Sequence, residues 1–339
     1  MTLLELGLPV IWAALIGTAI ALYVLLDGFD LGVAILYPLF KTDEAHDQMM
    51  NSIAPFWDGN ETWLVLGGGG LWVAFPKAYA VIMPALYLPI TVMLLALVFR
   101  GVAFEFRWIA KPHHAKWNIA FTLGSLVAAF SQGVVLGGLL QGIVVKNGQF
   151  AGGPLDWFTP FSLLCGISLI IGYALLGATW LMMKTHGPVA EHARKIAKPL
   201  LLGLVGAIIA VSIWTPLAIP RIAEFWFSLP RFFYILPIPA LTVFATWLCW
   251  MGISDKRHDL QAFFSALAIF LLAYFGLVLS NIPYLVPPSI TIWQAAAVPE
   301  SQLFFLFGTL ILLPLVLCYT VFVYWTFRGK LRPNEEGYH

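Results

Sequence analysis

Apolar runs long enough to cross a lipid bilayer recur along the whole of this 339-residue sequence. A transmembrane helix needs about 20 consecutive, mostly apolar residues, and its backbone must satisfy its own hydrogen bonds because lipid offers none. Nine such runs are present, at residues 8–36, 57–75, 79–104, 118–142, 159–183, 199–219, 232–251, 262–282 and 303–327. The sequence therefore predicts an all-α, polytopic membrane protein with nine transmembrane helices, forming one integral membrane domain over residues 1–339.

The first eight runs divide into two sets of similar spacing. The loops "KTDEAHDQMMNSIAP" and "KTHGPVAEHARKIAKP" occupy matching places after the first and fifth runs. This predicts two four-helix bundles, over residues 1–142 and 159–282, followed by one additional helix at 303–327. The likeness between the halves is weak, so a chain without internal repetition is the alternative.

The distribution of basic residues predicts the orientation of the chain in the membrane. Of the 18 Lys and Arg residues, 14 lie on the side that holds the C-terminus and 4 on the other. Because these residues accumulate in cytoplasmic loops, the N-terminus is predicted to lie outside and the C-terminus inside. With a net charge of +1, no overall field marks the chain as a binder of nucleic acid or of an acidic ligand.

Ionisable residues inside transmembrane helices are costly and mark functional sites by default. In this chain they are confined to the first third, because no predicted span from residue 118 onward contains one. The first two spans each carry a pair of acids, Asp27 and Asp30 in "LLDGFDLGVAIL" and Asp58 and Glu61 in "PFWDGNETW". Arg100 and Glu105 flank the end of the third span. Any proton or ion chemistry of this chain is expected at these residues.

The two acid pairs are predicted to meet at one depth of the membrane. At about 1.5 Å per residue, Asp27 lies about 30 Å along its helix from Leu8, near the cytoplasmic boundary where the second span begins. Each pair is spaced i, i+3, which places its members on one helical face, and Arg100 ends the third span at the same boundary. The alternative is that the acids simply end one span and cap the next helix, since acids are favourable at helix N-termini.

The placement of histidine and cysteine argues against a haem or metal site in this chain. Haem iron in membrane enzymes is usually held by His, and no predicted span contains one. The three cysteines stand singly, without the paired spacing of a metal cluster. The seven histidines all fall in predicted cytoplasmic loops or the tail, at His46, His113, His114, His186, His192, His258 and His339.

A run of four glycines at 67–70 lies within the second span. Small residues let helix backbones approach closely in membranes, so helix packing is the favoured interpretation. A phosphate-binding loop would need a strand-to-helix turn, which a membrane span does not provide. The neighbouring Trp57, Trp63 and Trp72 are expected to be packing or interface residues, of the kind a subunit contact would use.

The segments "LLDGFDLGVAILYP", "MMNSIAPFWDGNETWLVLGGGGLWVAFPKAYA" and "FRGVAFEFR" resemble subunit II of the cytochrome bd-type ubiquinol oxidases, especially the cyanide-insensitive branch. The resemblance covers essentially the whole chain in length, span number and order of motifs. It implies a nine-helix protein of the bacterial inner membrane, with a periplasmic N-terminus and a cytoplasmic C-terminus. It also implies an electrogenic, non-pumping oxidase that oxidises ubiquinol and reduces dioxygen to water.

The same resemblance implies the cofactors and partners of the complex. A related subunit I is expected to hold haem b558, haem b595 and haem d, which agrees with the absence of histidine from the predicted spans here. Some family members hold a structural ubiquinone in subunit II, and no motif in this chain places that site. Membrane lipid and a small single-span accessory subunit are further expected partners, and nucleic acid is not.

Carried over residue by residue, the resemblance implies that Asp58 of the "WDG" motif is the entry of a proton pathway toward the haems of subunit I. Some relatives have glutamine where this chain has Glu61, so the role of Glu61 is left open. The predicted proton pathway comprises Asp58, Asp30, Glu61 and Asp27, and the predicted supporting or interface residues are Arg100, Trp57, Trp63 and Glu105.

Two other functions compete with this interpretation. A proton- or ion-coupled secondary transporter would place ionisable groups near the midplane, in corresponding positions of two repeats. Here the second half supplies no such charge, and the acids lie at one membrane edge. A purely structural assembly partner is the third hypothesis, and it predicts that neutralising the four acids changes stability alone.

Overall fold

A computed structural model describes residues 3–110 and 114–331 of the chain, and its described part is almost entirely helical. The helices are α1 (Leu3–Leu36), α2 (Asp43–Ile53), α3 (Trp57–Ala74), α4 (Pro76–Ala85), α5 (Tyr87–Ile109), α6 (Ala115–Gln141), α7 (Pro160–Lys184), α8 (Gly187–Ala218), α9 (Pro220–Phe227), α10 (Arg231–Ile235), α11 (Pro237–Ser254), α12 (Asp259–Asn281), α13 (Ile292–Ala295) and α14 (Pro299–Thr326). Two hairpins pair β1 (Val145–Lys146) with β2 (Gln149–Phe150) and β3 (Tyr284–Val286) with β4 (Ile290–Thr291). The predicted all-α class is confirmed.

Within the described ranges, eight helical segments are long and apolar enough to cross a membrane. They correspond to α1, α5, α6, α7, α8, α11 with the short α10 before it, α12 and α14. Helix α3 occupies the second predicted span but is not among the eight, because its 18 residues include Asp58, Asn60, Glu61 and five glycines. The count of nine spans therefore stays a prediction, and α3 is the helix on which it depends.

Helix boundaries differ from the predicted spans in three places. The seventh predicted span, 232–251, is divided between α10 and α11 at Leu236. The third predicted span, 79–104, is divided between α4 and α5 at Leu86, where Pro84 and Pro89 disrupt continuous helical hydrogen bonding. The sixth, 199–219, begins twelve residues earlier, at Gly187, so most of the loop predicted before it is helical. An apolar run alone does not reveal where a helix begins or where it is interrupted.

Helix α1 lies at the centre of the structure and contacts helices from both halves of the chain. Its closest approach is to α7, where a Cβ atom added at Gly32 would lie 1.8 Å from the backbone oxygen of Tyr173. A Cβ atom added at Gly177 would likewise lie 2.3 Å from the carbonyl carbon of Gly32. One hydrophobic cluster contains residues of both halves, so the division into two bundles stays a prediction.

The hairpins and α13 pack over the end of the molecule that holds the start of α1. The β1–β2 turn has Asn147 at φ 52° and Gly148 at φ 75°, a left-handed pair that two-residue hairpin turns require. The second hairpin contributes Val286 and Ile290 to a hydrophobic cluster with α1 and α4. This end is closed by loop packing, and the predicted acidic site lies at the opposite end of α1.

Candidate functional site

Arg100 of α5 lies between the acidic residues of α1 and α3. Its Nη1 atom is 2.9 Å from Oδ1 of Asp27 and 2.5 Å from Oε1 of Glu61, while Nη2 is 4.0 Å from Oδ2 of Asp30. The guanidinium also lies 5.7 Å from the ring centroid of Trp57, a cation–π distance. Three helices thus bring three carboxylates to one arginine, and we call these four residues, Asp27, Asp30, Glu61 and Arg100, the Arg100 cluster.

The Arg100 cluster is buried and unbalanced in charge. Asp27 and Asp30 are 0% exposed and Arg100 is 1% exposed, while the Glu61 side chain is 26% exposed. Three carboxylates against one guanidinium leave two negative charges uncompensated when every group is ionised. Neither oxygen of Asp27 has a hydrogen bond of good geometry, and neither do Oδ1 of Asp30 and Nη2 of Arg100. Buried polar atoms of this kind are costly unless they bind water or protons.

The fold of α1 explains why both its acids point into the cluster. Helix α1 continues past Asp27 and Asp30 to Leu36, so these acids do not end the helix as the alternative interpretation supposed. Their i, i+3 spacing sets both on one face. Gly28 lies against α7, where an added Cβ atom would be 2.7 Å from the ring of Tyr173. The glycines of "DGFDLG" therefore serve close packing with α7, while the aspartates serve the cluster.

Asp58 lies outside the cluster, in the first turn of α3. Its side chain is exposed and makes no hydrogen bond or ion pair with any described residue. The helix-capping interpretation therefore stays open for Asp58.

Glu105 is exposed on α5, one turn beyond Arg100. Trp63 is 2% exposed and packs inside the protein with Ala19 and Tyr23, so it is an internal packing residue.

The four-glycine run serves two faces of α3. A Cβ atom added at Gly67 would contact Ile20 of α1 at 3.3 Å, and one added at Gly70 would contact Ile16 at 3.0 Å. Gly68 and Gly69 have nothing within 4 Å of such an atom. Packing against α1 accounts for two of the glycines, and the other two leave an open surface on α3.

Neutral polar residues extend the cluster in a way that the sequence did not indicate. Asn60 is 1% exposed, and its Nδ2 atom donates to Oδ2 of Asp30 at 2.7 Å and to the Leu26 carbonyl at 3.3 Å. The hydroxyl of Tyr324, from α14, donates to Oδ1 of Asn60 at 3.0 Å. The last membrane helix is thereby connected to an aspartate of the first.

A second polar chain crosses the interior beside Asp27. Tyr173 of α7 donates to Oε1 of Gln132 at 2.8 Å, and Nε2 of Gln132 donates to the hydroxyl oxygen of Tyr23 at 2.7 Å. Tyr23 precedes Asp27 by one helical turn on α1. Polar side chains at i, i+4 from an acid are the signal that could have found Tyr23. Gln132 and Tyr173 reach it only through tertiary packing.

The described histidines lie away from the middle of the long apolar helices. They lie at or near helix ends: His46 on α2, His114 before α6, His186 and His192 at the start of α8, and His258 before α12. Nε2 of His46 contacts the Tyr37 carbonyl, and Nε2 of His114 contacts Asp43. His113 and His339 lie outside the described residues. No group of three or more His, Cys, Asp or Glu side chains in the described ranges is arranged to hold a metal ion.

The family model described as "Cytochrome bd terminal oxidase subunit II" matches residues 8–327 of the chain. The chain belongs to this family. It is therefore a multi-pass protein of the bacterial inner membrane and one subunit of an oxidoreductase complex, as the resemblance predicted. Membership of the family implies a subunit I partner, and it implies haems and quinol in the complex.

Individual relatives agree with the family assignment over most of the chain. Subunit 2 of the cytochrome bd-I ubiquinol oxidase of Escherichia coli is 27% identical over 366 residues, covering 96% of this chain and 95% of that protein. A probable cytochrome oxidase subunit 2 of Haemophilus influenzae is 29% identical over 360 residues, with the same coverage. Subunit 2 of the Bacillus subtilis cytochrome bd ubiquinol oxidase is 32% identical over 206 residues, 59% of this chain.

A solved structure supports the fold. The bd oxidase from Geobacillus thermodenitrificans contains a chain that superimposes with a TM-score of 0.72, covering 94% of this chain and 99% of that one. The sequence identity between the two is 19%. This likeness shows the fold of the bd oxidase subunit without assigning roles to individual residues.

Proposed function

We propose that this chain is the non-haem subunit II of a cytochrome bd-type ubiquinol oxidase, in which it provides the cytoplasmic proton inlet and a helical scaffold for subunit I. Reduction of one dioxygen to two waters consumes four electrons and four protons, so the oxidase needs a route that delivers protons to a buried haem. Haem b558, haem b595 and haem d belong to subunit I in this proposal. The observation that carries it is the Arg100 cluster, a buried set of proton-binding groups in a chain whose described histidines lie away from the middle of the long apolar helices.

The acidic residues form a gradient of exposure that suits proton entry. Asp58 is exposed, Glu61 lies one helical turn further along α3 and is 26% exposed, and Asp27 and Asp30 are fully buried. Carboxyl groups at successive depths can each accept a proton from the more exposed neighbour. The basic residues predict a cytoplasmic C-terminus, and in that orientation the start of α3 lies on the cytoplasmic side. The gradient therefore begins on that side.

The charge of the cluster gives it a reason to bind protons. A buried excess of negative charge is costly, and the cluster lowers that cost by taking up protons or by pairing with a cation. The Nη1 atom of Arg100 lies within contact distance of both Asp27 and Glu61, so one guanidinium group links the two carboxyl groups. Proton movement between these acids would then require only a shift of the hydrogen bonds to one guanidinium.

The uncovered face of α3 is the surface we assign to subunit I. One exposed stripe runs along the helix at Asp58, Thr62, Val65, Gly69 and Trp72, with alternating spacings of four and three residues. A carboxylate is unfavourable in contact with lipid, and Asp58 lies at one end of this stripe. A protein helix can approach closely at Gly68 and Gly69, where the structure leaves open space. Docking along this stripe would bring subunit I alongside α3 and leave Asp58 at the cytoplasmic end of the contact.

The inlet is tested by replacing Asp58 with Asn in the complete oxidase. We expect ubiquinol-dependent oxygen consumption per haem to fall about tenfold or more, because a proton-accepting group is lost from the entry. The optical spectrum of the purified complex measures whether the haems are retained. Glu44→Gln is the matched control, since Glu44 is an exposed carboxylate on α2 outside the cluster. Unchanged turnover of Asp58→Asn in a fully assembled complex would remove Asp58 from the pathway.

The docking surface is tested by thiol labelling in a Cys318→Ser background, because Cys165 and Cys249 are buried and Cys318 is exposed. Val65→Cys places a thiol on the α3 stripe, where Val65 is 74% exposed in this chain. Leu312→Cys is the control on α14, where Leu312 is 63% exposed. In the detergent-solubilised complex we expect maleimide to label the Leu312→Cys variant about tenfold faster. Equal labelling rates would show that subunit I docks elsewhere.

A further inference from the structure

Helix α14 is held against the rest of the protein mainly by polar contacts at its two ends. At its start, Nε2 of Gln302 donates to the Ala74 carbonyl at 2.9 Å, and Nε1 of Trp12 donates to the Gln302 carbonyl at 3.1 Å. After its end, Nζ of Lys184 donates to the Phe327 carbonyl at 2.5 Å, and the Leu331 amide donates to the Lys184 carbonyl at 2.9 Å. These four bonds fix the height of α14 although most of its side chains are exposed.

Between these ends, the inward side of α14 follows one helical line. Leu306 is buried, Leu313 packs against the cluster that contains Tyr23 and Trp63, and Tyr324 reaches α3. The Tyr324 ring stacks on Phe56 with centroids 4.5 Å apart and an interplanar angle of 29°. The ring is therefore fixed by stacking, and its hydroxyl is directed at Oδ1 of Asn60.

The Asp30 carboxylate and the Leu26 carbonyl both accept from the Asn60 nitrogen and so set the orientation of the amide, and the Tyr324 hydroxyl anchors the other end by donating to Oδ1. An asparagine side chain can rotate by half a turn and exchange its oxygen and nitrogen with little change in shape. In the observed orientation the nitrogen donates to Asp30 and Leu26, and the oxygen accepts from Tyr324. The opposite orientation would set the amide oxygen against an Asp30 oxygen and the amide nitrogen against the Tyr324 hydroxyl.

We infer that Tyr324 is a positioning residue for the proton inlet, acting through Asn60 to hold Asp30 beside Arg100. The inference rests on the proposed function, because it requires Asp30 to take part in proton transfer. It assigns to α14 a task beyond crossing the membrane: the helix carries the donor that orders a carboxylate on α1. Tyr324 does not touch a reacting group itself, so its effect must appear only through Asp30.

The test is a double-mutant cycle in the complete oxidase complex. Tyr324→Phe retains the ring and removes only the hydroxyl. We expect turnover at saturating ubiquinol to fall about three- to tenfold, because the variant loses one buried hydrogen bond. The KM for ubiquinol should stay unchanged, since the substrate does not contact Tyr324. In an Asp30→Asn background the same change should cause no further loss, because the residue it positions is already neutralised. Tyr319→Phe is the matched control, since Tyr319 lies on the same helix and is 65% exposed.

The outcomes separate this inference from the proposed function. Wild-type turnover in Tyr324→Phe, or losses that multiply in the double variant, would overturn the role of Tyr324. If Asp30→Asn slows turnover while Tyr324→Phe does not, the proton inlet stands and only this inference fails. If Asp30→Asn and Asp58→Asn both turn over normally, the inlet and the inference fail together. If the haem spectrum shows that Tyr324→Phe does not assemble, Asn60→Leu replaces it, because this variant removes the same link between Tyr324 and Asp30. The same results are expected for it.

Discussion

Two arginines on one face of α5 occupy contrasting surroundings. Arg100 and Arg107 are seven residues apart, and both are buried. Each has an Nη2 atom without a hydrogen bond to a described residue, but Arg100 faces three carboxylates. Arg107 faces one partly exposed carboxylate, with Nη1 2.6 Å from Oδ1 of Asp47, and its Nε atom donates to Oδ1 of Asn118 at 2.7 Å.

In the proposed function, this difference separates a proton-transfer site at Arg100 from a structural contact at Arg107. Arg107 pairs with the Asp47 carboxylate, and its guanidinium also lies 5.9 Å from the Tyr37 ring centroid and 5.1 Å from that of Trp108. These contacts tie α2 and α6 to the end of α5. Around Arg100 an excess of acid remains. The same side chain therefore serves architecture where its charge is matched, and can serve proton transfer where it is not.

The largest effect is expected from Arg100→Gln. Removing the guanidinium leaves three carboxylates without a counter-charge, and breaking a buried ion pair in this way costs about 3–5 kcal/mol. We expect little assembled oxidase, and in the assembled fraction a loss of turnover of about a hundredfold. Haem content and oxygen consumption of the purified complex measure the two effects. An assembled variant of normal turnover would show that the Arg100 cluster is as inert as the surroundings of Arg107.

A smaller effect of a different kind is expected from Arg107→Gln. The variant loses charged hydrogen bonds to Asp47 and Asn118, which corresponds to about 1–3 kcal/mol of stability. Turnover per haem should stay at the wild-type value, because no excess of acid depends on this arginine. Thermal unfolding of the complex and oxygen consumption are measured together. A large loss of turnover at unchanged stability would contradict the comparison, since it would place Arg107 in the pathway.

The smallest effect is expected from Asp43→Asn, at the edge of the Arg107 region. The hydrogen bond from His114, together with the nearby positive charge, lowers the pKa of the exposed Asp43 carboxyl. A lowered pKa means that the contact stabilises the fold above the usual aspartate pKa of about 3.9, and that this contribution is lost as the pH falls through the lowered pKa. We expect the variant to unfold about 1 °C lower at neutral pH. The difference from wild type should shrink as the pH falls below about 4. A difference that instead grows below that pH would show that the contact does not lower the pKa of Asp43.

The positions of charged residues and their helical spacing allowed part of the site to be predicted from the sequence. The i, i+3 spacing of the acids and the position of Arg100 at the end of a span indicated that these groups share a depth, and the structure brings Asp27, Asp30 and Glu61 to Arg100. Asp58 was predicted beside them but lies exposed, because it begins α3 and faces away from α1 and α5. Its place in the pathway stays a prediction.

The neutral members of the network could not be predicted from one sequence. Asn60 and Tyr324 are 264 positions apart, and their contact depends on how α14 packs across α1 and α3. Asn, Gln and Tyr also lack the strong signal of a charge in an apolar run. The break at Leu86 is different in kind, because Pro84 and Pro89 already stand in the sequence. A closer analysis of proline would have divided the third predicted span.

The contact of Gly32 with Gly177 links the acidic helix to the half of the chain whose predicted spans are free of charge. Because the two backbones touch, α1 cannot slide or rotate against α7 without a steric clash. Helix α7 of the second half therefore fixes the position of α1, and with it the positions of Asp27 and Asp30 relative to Arg100. A helix whose predicted span carries no charged residue thereby sets the spacing within the Arg100 cluster.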